Sequence, residues 1–264
     1  MERAILRLRD GQSRVCMPPD AGELRALVEC LRSPRRDDAR SFRLREPDGS
    51  GLDVLAGDIV GLEIAPPYYL VPNFLTPPEL ARVKSHLHAH ADKFSDATIS
   101  LPARQGDWQP DTRLRRARTL DRVAELMPII MPKLQALMPG MWPHLRMSPL
   151  ALSTIECQIS VHGDGDFFLT HTDNALPDIA HRKVSYVYYF HREPKQFSGG
   201  LLRFYGTLLE GGSSACGQPW IDIDPPHNGL IIFPSPCHHE VTLVQCASRE
   251  LTDQRLTVNG WFCA

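Results

Sequence analysis

Two residues apart in the second half of the chain stand His171 and Asp173. A histidine pair, His238-His239, follows a proline turn, and Arg255-Leu256-Thr257 lies beyond. On an extended strand, residues two apart leave the same face, so an imidazole and a carboxylate there can grip one ion. The next ligand has to return from elsewhere in the chain. The apolar run Leu230–Phe233, its proline turn and a histidine opening the following strand offer one, from His238 or His239. Two imidazoles and one carboxylate on one face of an octahedral ion leave three positions open, the donor set of non-haem iron sites that handle dioxygen. Arginine adds a planar fork that holds a carboxylate through two parallel hydrogen bonds. Arg255, Thr257 and Asn259 share one strand face, so a hydroxyl donor stands beside that fork.

The elements that must position these groups follow from pattern. From about Ser153 the chain turns to short β-rich runs separated by Gly, Pro and Asn: 155–161, 183–190, 201–205, 230–233, 240–244 and 255–262. Many short strands with frequent turns predict a β-sandwich of jelly-roll type. Upstream, Thr76 with Pro77 and Glu79 forms a capping box for a helix running to about Asp92. Leu120 to Met138 predicts a helix or helix pair, which Pro128 and Pro132 should break or kink. Residues 1–66 look separate. Ala4–Arg9 alternates into an Asp10-Gly11 turn and a returning strand, Asp20 opens an amphipathic helix, and 42–45 and 60–64 alternate around Pro47-Asp48-Gly49. The expected organisation is a small ββαβ, ubiquitin-like (β-grasp-like) unit at 1–66, a linker at Ala65-Pro66-Pro67, and a second domain at 67–264. The expected fold class is α+β, with a double-stranded β-helix (jelly-roll) core and flanking helices.

At these residues the chain resembles the iron/2-oxoglutarate-dependent dioxygenases of the prolyl 4-hydroxylase-like branch. The resemblance runs through Gly165-Asp166-Phe167-Phe168 before His171 and Asp173, then Arg182 with Ser185–Phe190, and Gly199-Gly200-Leu201-Leu202. It continues in Phe233-Pro234 with His239-Glu240-Val241, and in Arg255-Leu256-Thr257 ending at Gly260-Trp261. It covers roughly residues 68–264. The resemblance implies His239 as the third ligand beside His171 and Asp173. It also implies Arg255, Thr257 and Tyr189 as the 2-oxoglutarate contacts, with Fe(II) and dioxygen as partners in C–H hydroxylation and ascorbate keeping the iron reduced. Asp173 favours hydroxylation, because related halogenases carry a small residue there to admit chloride. One position departs: His162 stands where the family often has Tyr. It could replace that hydrogen bond, face the substrate or cap a turn.

Bland readings compete at several places. Arg113-Leu114-Arg115-Arg116-Ala117-Arg118 reads first as a solvated basic face, and otherwise as a cleft mouth for an anionic part of the substrate. Arg249, in a polar loop, competes with Arg255. Trp220, Phe204 and the aromatics of 186–190 read as sandwich core.

The 264 residues, 42% hydrophobic and 23% charged, are those of an ordinary globular chain. A net charge of −2 with both signs dispersed gives no electrostatic case for nucleic acid, and no apolar run approaches the ~20 residues of a membrane span. Seven cysteines without a Cys-x-x-Cys pair argue against a disulfide framework and a zinc ribbon, and for a reducing, cytoplasmic setting. The expected substrate is peptidyl (prolyl-like) or an amino acid. The alternatives are a tailoring oxygenase of a small metabolite (hydroxylation, desaturation or cyclisation) and a non-catalytic binding or sensing module on the same fold.

Overall fold

The computed structural model describes residues 3–17, 20–104, 106–121 and 123–264. It divides into two units, Met1–Pro66 with Phe204–Ile221, and Pro67–Arg203 with Asp222–Ala264. The break at Ala65-Pro66-Pro67 is therefore one of the places where the chain passes between units.

The first unit begins with β1 (Ala4–Leu8), β2 (Ser13–Cys16), α1 (Ala21–Arg32), β3 (Ser41–Arg45), β4 (Gly51–Leu55) and β5 (Ile59–Ile64). Gly11, at φ +86°, closes the first hairpin. The Asp20 carboxylate caps α1 by accepting from Glu23 N–H at 2.8 Å. The helix lays Leu24, Leu27 and Leu31 inward, and Leu27 and Leu31 pack in one cluster with Leu6, Phe42, Leu44 and Leu62. β1 pairs antiparallel with both β2 and β5. The Pro47-Asp48-Gly49 turn joins β3 to β4, not to the 60–64 strand expected from pattern. In β4 only Val54 is buried, so that strand carried little apolar signal.

The second unit opens with β6 (Tyr69–Val71), α2 (Pro77–Ala89), β7 (Ser95–Asp96), β8 (Arg115–Arg116), β9 (Arg118–Leu120) and α3 (Met127–Leu145). The strands that follow are β10 (Thr154–His162), β11 (Phe167–His171), β12 (Arg182–Phe190), β13 (Ser198–Gly199), β14 (Leu202–Glu210) and β15 (Ser213–Ile223). The last are β16 (Gly229–Pro234), β17 (His239–Val241), β18 (Val244–Gln245) and β19 (Arg255–Cys263). Of these, β14 beyond Arg203 and most of β15 belong to the first unit, where Thr207–Glu210 pair with Ile64–Gly61 of β5. The eleven-residue β15 was absent from the sequence expectation. Its small and polar residues are mostly exposed.

The second unit's main sheet runs β6-β16-β12-β19-β10-β9-β7. Strand alternation divides its side chains into two sets. Ile159, Val161, Tyr186, Tyr188, Leu256 and Val258 form one apolar layer with Val83 and Leu87 of α2 and Ile130 and Leu134 of α3. Ser160, His162, Ser185, Val187, Tyr189, Arg255, Thr257 and Asn259 occupy the alternate positions. They face β11 and β17 across a sandwich, the jelly-roll core expected from the turn-rich pattern.

The α3 helix corrects the sequence reading in position and, of the helix or helix pair expected, is the single helix. It starts at Met127, not Leu120, and runs through Pro132, Pro139 and Pro143. Pro128 sits in the first turn, where its missing N–H costs no intrahelical bond. Each interior proline does remove a bond. The burial of Ile129, Ile130, Leu134, Met141, Trp142 and Leu145 offsets that loss.

Candidate metal centre and co-substrate cavity

The short β11–β17 ladder sets His171 directly opposite His239. Two residues past His171 the chain is pinned again, where Asp173 N–H donates to Ser235 C=O at 3.0 Å. The result is a convergent triad. His171 Nε2 lies 3.6 Å from Asp173 Oδ1, and His239 Nε2 lies 3.6 Å from Asp173 Oδ2. All three ligand atoms fall within 4.8 Å of one another.

The imidazole protons are placed by backbone acceptors. His171 Nδ1 donates to Leu169 C=O at 2.8 Å, and His239 Nδ1 to Cys237 C=O at 2.9 Å. A carbonyl only accepts, so each Nε2 keeps its lone pair for a cation. Burial pushes His239 down to about 4, which keeps it in the neutral form a metal needs. Burial alone would raise the Asp173 carboxyl. His239, His171 and the Ser185 hydroxyl, which donates to Oδ2 at 2.6 Å, together hold it below the usual carboxylate range. Phe168 stacks on His171 at 3.6 Å between centroids, and Phe233 meets His239 edge-on at 4.7 Å. Ligand atoms at about 2.0–2.2 Å from one ion are separated from each other by roughly 3–3.5 Å at angles between 90° and tetrahedral. The triad's spacing and its N/N/O donors therefore fit a divalent first-row metal such as Fe(II).

The same cavity continues to a buried cation. Arg255 is 2% exposed, and its Nε–H donates to Gly200 C=O at 2.7 Å. Gly200 sits at φ +62°, and a Cβ there would lie 2.7 Å from Arg255 Cδ, so only glycine allows this approach. Tyr189 packs its ring 5.1 Å from the guanidinium. Its buried hydroxyl makes no hydrogen bond of good geometry, and burial pushes its pKa up to about 12. Thr257, directly across from Tyr189 in the β12–β19 ladder, lines the cavity too. A buried guanidinium flanked by hydroxyls has the donors to hold a carboxylate, set apart from the metal donors. That is the chemistry of a ligand with a carboxylate at its far end.

His239 joins the triad, while His238 lines an outer cleft. Arg255 reaches the cavity, while Arg249 is exposed. His162 is 3% exposed and lines the cavity with neither ring nitrogen hydrogen-bonded. Burial first, then Arg255 and Arg115, lowers its pKa well below the usual histidine value. Ser185 was missed by sequence reasoning, since its bond to Asp173 spans separate elements. The alternation of Ser185–Tyr189 alone marked it as sharing the face of Tyr189. Phe204 is fully buried, as expected of a core aromatic, and groups with the first unit.

The outer cleft also reaches His171 and Asp173 and is lined by Trp108, Leu169 and Trp261. Among the described residues a further trio, Glu156, His181 and Cys263, also brings ligand atoms together. There the Arg182 fork already holds Glu156 at 2.6 and 3.0 Å.

Residues 157–263 match the family described as the 2OG-Fe(II) oxygenase superfamily. The chain is 33% identical over 196 residues to an uncharacterised PKHD-type hydroxylase of Synechocystis, a match covering 74% of this chain and 62% of that protein. It thus spans less than two thirds of that relative's length. Its fold is shared with a Pseudomonas putida prolyl-4-hydroxylase at 20% identity and TM-score 0.52, covering 76% of this chain and 94% of that one. It is shared too with a Trichoplax adhaerens prolyl hydroxylase solved with a hypoxia inducible factor peptide fragment. That match has 17% identity and TM-score 0.55, and covers 75% of this chain and 84% of that one.

Proposed function

We infer that the chain belongs to the 2OG-Fe(II) oxygenase superfamily, in its prolyl 4-hydroxylase-like branch, and is an Fe(II)- and 2-oxoglutarate-dependent dioxygenase. It hydroxylates an unactivated C–H bond of a peptidyl (prolyl-like) or amino-acid substrate. One observation carries the reading: a His171–Asp173–His239 donor set and a buried Arg255 occupy a single cavity.

His171, Asp173 and His239 would hold the iron, and Arg255, Thr257 and Tyr189 the far carboxylate of 2-oxoglutarate. Bound there with dioxygen, the pair supplies the oxidising power for abstraction of a substrate hydrogen. The chain's own residues do the rest. Leu169 and Cys237 carbonyls fix both imidazole tautomers, and Ser185 orients the carboxylate that would hold the metal. Arg255, anchored by Gly200, sets the length and direction of the co-substrate. Phe168 and Phe233 exclude water from the histidine faces.

The second unit carries this chemistry, and the first, β-grasp-like unit is an accessory module. All seven cysteines are free, in keeping with a reducing, cytoplasmic setting. No helix among the described residues is long and apolar enough to cross a membrane.

Anaerobic addition of Fe(II) and 2-oxoglutarate should produce a weak visible metal-to-ligand absorption band, lost in His171→Ala. Absence of the band in the native protein would overturn the reading.

A further inference from the structure

Three arginines in this chain meet a carboxylate through the same edge. Arg113 presents its Nε–H and Nη2–H edge to Asp111 at 3.0 and 2.8 Å. Arg182 gives the same edge to Glu156, and Arg203 gives it to Asp222 at 2.7 and 2.8 Å. Arg115 departs from this. Its Nη1 donates to Thr98 C=O at 3.2 Å, while its Nε–H is buried with no partner. Its neighbours in the basic run are engaged elsewhere. Arg113 is on Asp111, Arg116 lies 3.9 Å from Asp166, and Arg118 donates to Gln254 at 2.9 Å. Among the described residues, no carboxylate meets the Arg115 edge.

Its position gives that open edge a purpose. Arg115 lies directly opposite Phe168 in the β8–β11 ladder and sits over its ring at 4.8 Å, which holds the guanidinium against the aromatic face. It lines both the inner cavity and the outer cleft, which also share His171, Asp173 and Trp261. Burial pushes its pKa down only to about 10, so it stays charged at neutral pH. Asp173 and Asp121 favour that charge without bonding to it. A buried, oriented, charged donor edge without its acceptor is costly unless a ligand completes it.

We propose that Arg115 binds a carboxylate of the substrate through its Nε/Nη2 edge, so that the enzyme hydroxylates a molecule carrying a carboxylate close to the reacting carbon. This rests on the oxygenase reading above and narrows its substrate class. The carboxylate is either the α-carboxylate of a free or chain-terminal residue, or the side chain of an internal Asp or Glu. The Arg203 and Arg113 pairs within the chain set the expected bidentate geometry. Arg255 is left for the co-substrate.

The test uses the full-length protein with Fe(II) and 2-oxoglutarate. Three pools are compared: N-acetyl amino acids with free carboxylates, their neutral carboxamides, and the carboxamides of N-acetyl-Asp and N-acetyl-Glu. Succinate formation and a mass gain of one oxygen are read for each. The native enzyme should prefer a carboxylate-bearing pool over the neutral amides by about tenfold or more. The first pool winning assigns a terminal carboxylate, and the third assigns an acidic side chain. Arg115→Gln should erase the preference, Arg115→Lys should keep part of it, and the exposed Arg113→Gln should keep all of it. The anaerobic absorption band, and 2-oxoglutarate affinity within about twofold of native, show that the variant site is intact and keep failure of the oxygenase reading distinguishable. Equal turnover of neutral amides, turnover of no pool with the band present, or collapse of 2-oxoglutarate affinity in Arg115→Gln would each overturn the proposal.

Discussion

His162 and Arg255 stand directly opposite each other on neighbouring strands, both buried and both facing one cavity. The guanidinium is anchored to Gly200, while the imidazole has no hydrogen bond at either nitrogen. A buried polar group left unpaired costs about 1–3 kcal/mol, and a ligand that pairs with it recovers that cost.

His162→Phe should therefore stabilise the ligand-free protein and weaken 2-oxoglutarate binding. At about 1–3 kcal/mol, and roughly 2–4 °C of Tm per kcal/mol for a domain of this size, the rise in Tm should be several degrees. Thermal unfolding with and without 2-oxoglutarate measures both signs together. A ligand-free Tm that falls, with unchanged 2-oxoglutarate affinity, would make His162 a packing residue.

The same histidine predicts a pH dependence. Burial, then Arg255 and Arg115, depresses its folded pKa well below 6.5, and Asp173, His171, His239 and Tyr189 line the same cavity. Below about 6.5 the unfolded chain takes up a proton that the folded chain refuses, so the contribution is complete above that pH and is lost on acidification. The Tm advantage of His162→Phe over native should widen from pH 7 to pH 5. A constant difference across that range would show that His162 keeps an ordinary pKa.

Ser185 tests how Asp173 is held. Its hydroxyl donates to Asp173 Oδ2 at 2.6 Å and also contacts the Ser235 hydroxyl at 3.0 Å. Removing such an outer contact typically costs 10–100-fold in metal affinity. Ser185→Ala should weaken Fe(II) or Mn(II) binding by about that factor in a competition titration, with the fold unchanged by circular dichroism. Native-like affinity would mean that the backbone bond to Ser235 alone positions the carboxylate.

How much of this was legible depends on what carries the information. His171, Asp173, His239, Arg255 and Thr257 could be named because period-two alternation assigns a face to each residue, and the motif order assigns partners. Tyr189 was named from the family resemblance alone, and its odd position in the strand puts it on the face opposite Tyr186 and Tyr188. Ser185, Gly200 and the open edge of Arg115 were not legible. Each acts through a contact between elements distant in sequence, and no local pattern encodes those. The α3 boundaries failed for a related reason. Proline propensity is local, whereas the apolar layer that holds the helix together is tertiary. β15 failed because an exposed strand of small polar residues has no buried face to reveal it.

Gly200 supplies a steric test of the co-substrate end. An alanine there would bring Cβ to 2.7 Å from Arg255 Cδ and 2.9 Å from Val244 Cγ2, on a backbone at φ +62°. Arg255 would have to shift, and its bond to the Gly200 carbonyl with it. Gly200→Ala should lower 2-oxoglutarate affinity at least about tenfold while metal affinity stays near native, as read by calorimetry with Mn(II). Equal 2-oxoglutarate affinities would show that Arg255 does not need this anchor.

The division into units predicts what truncation does. A chain starting at Pro67 keeps Phe204–Ile221 but removes β5, the partner of Thr207–Glu210. It also removes Glu63, whose buried carboxylate accepts from Gln218 N–H at 2.6 Å. The stranded hairpin would expose a bare strand edge, so this truncation should aggregate. Replacing 204–221 by a short Gly-Ser turn in the same truncation should restore solubility. Arg203 and Asp222, which flank the replaced segment, are joined by the 2.7 and 2.8 Å fork, so their ends are already close. The shortened protein should bind Fe(II) within about threefold of native, since all three proposed ligands lie in the second unit. Size-exclusion chromatography and metal titration of the two truncations decide the matter. Loss of metal binding in the soluble, shortened form would show that the first unit is needed to build the site.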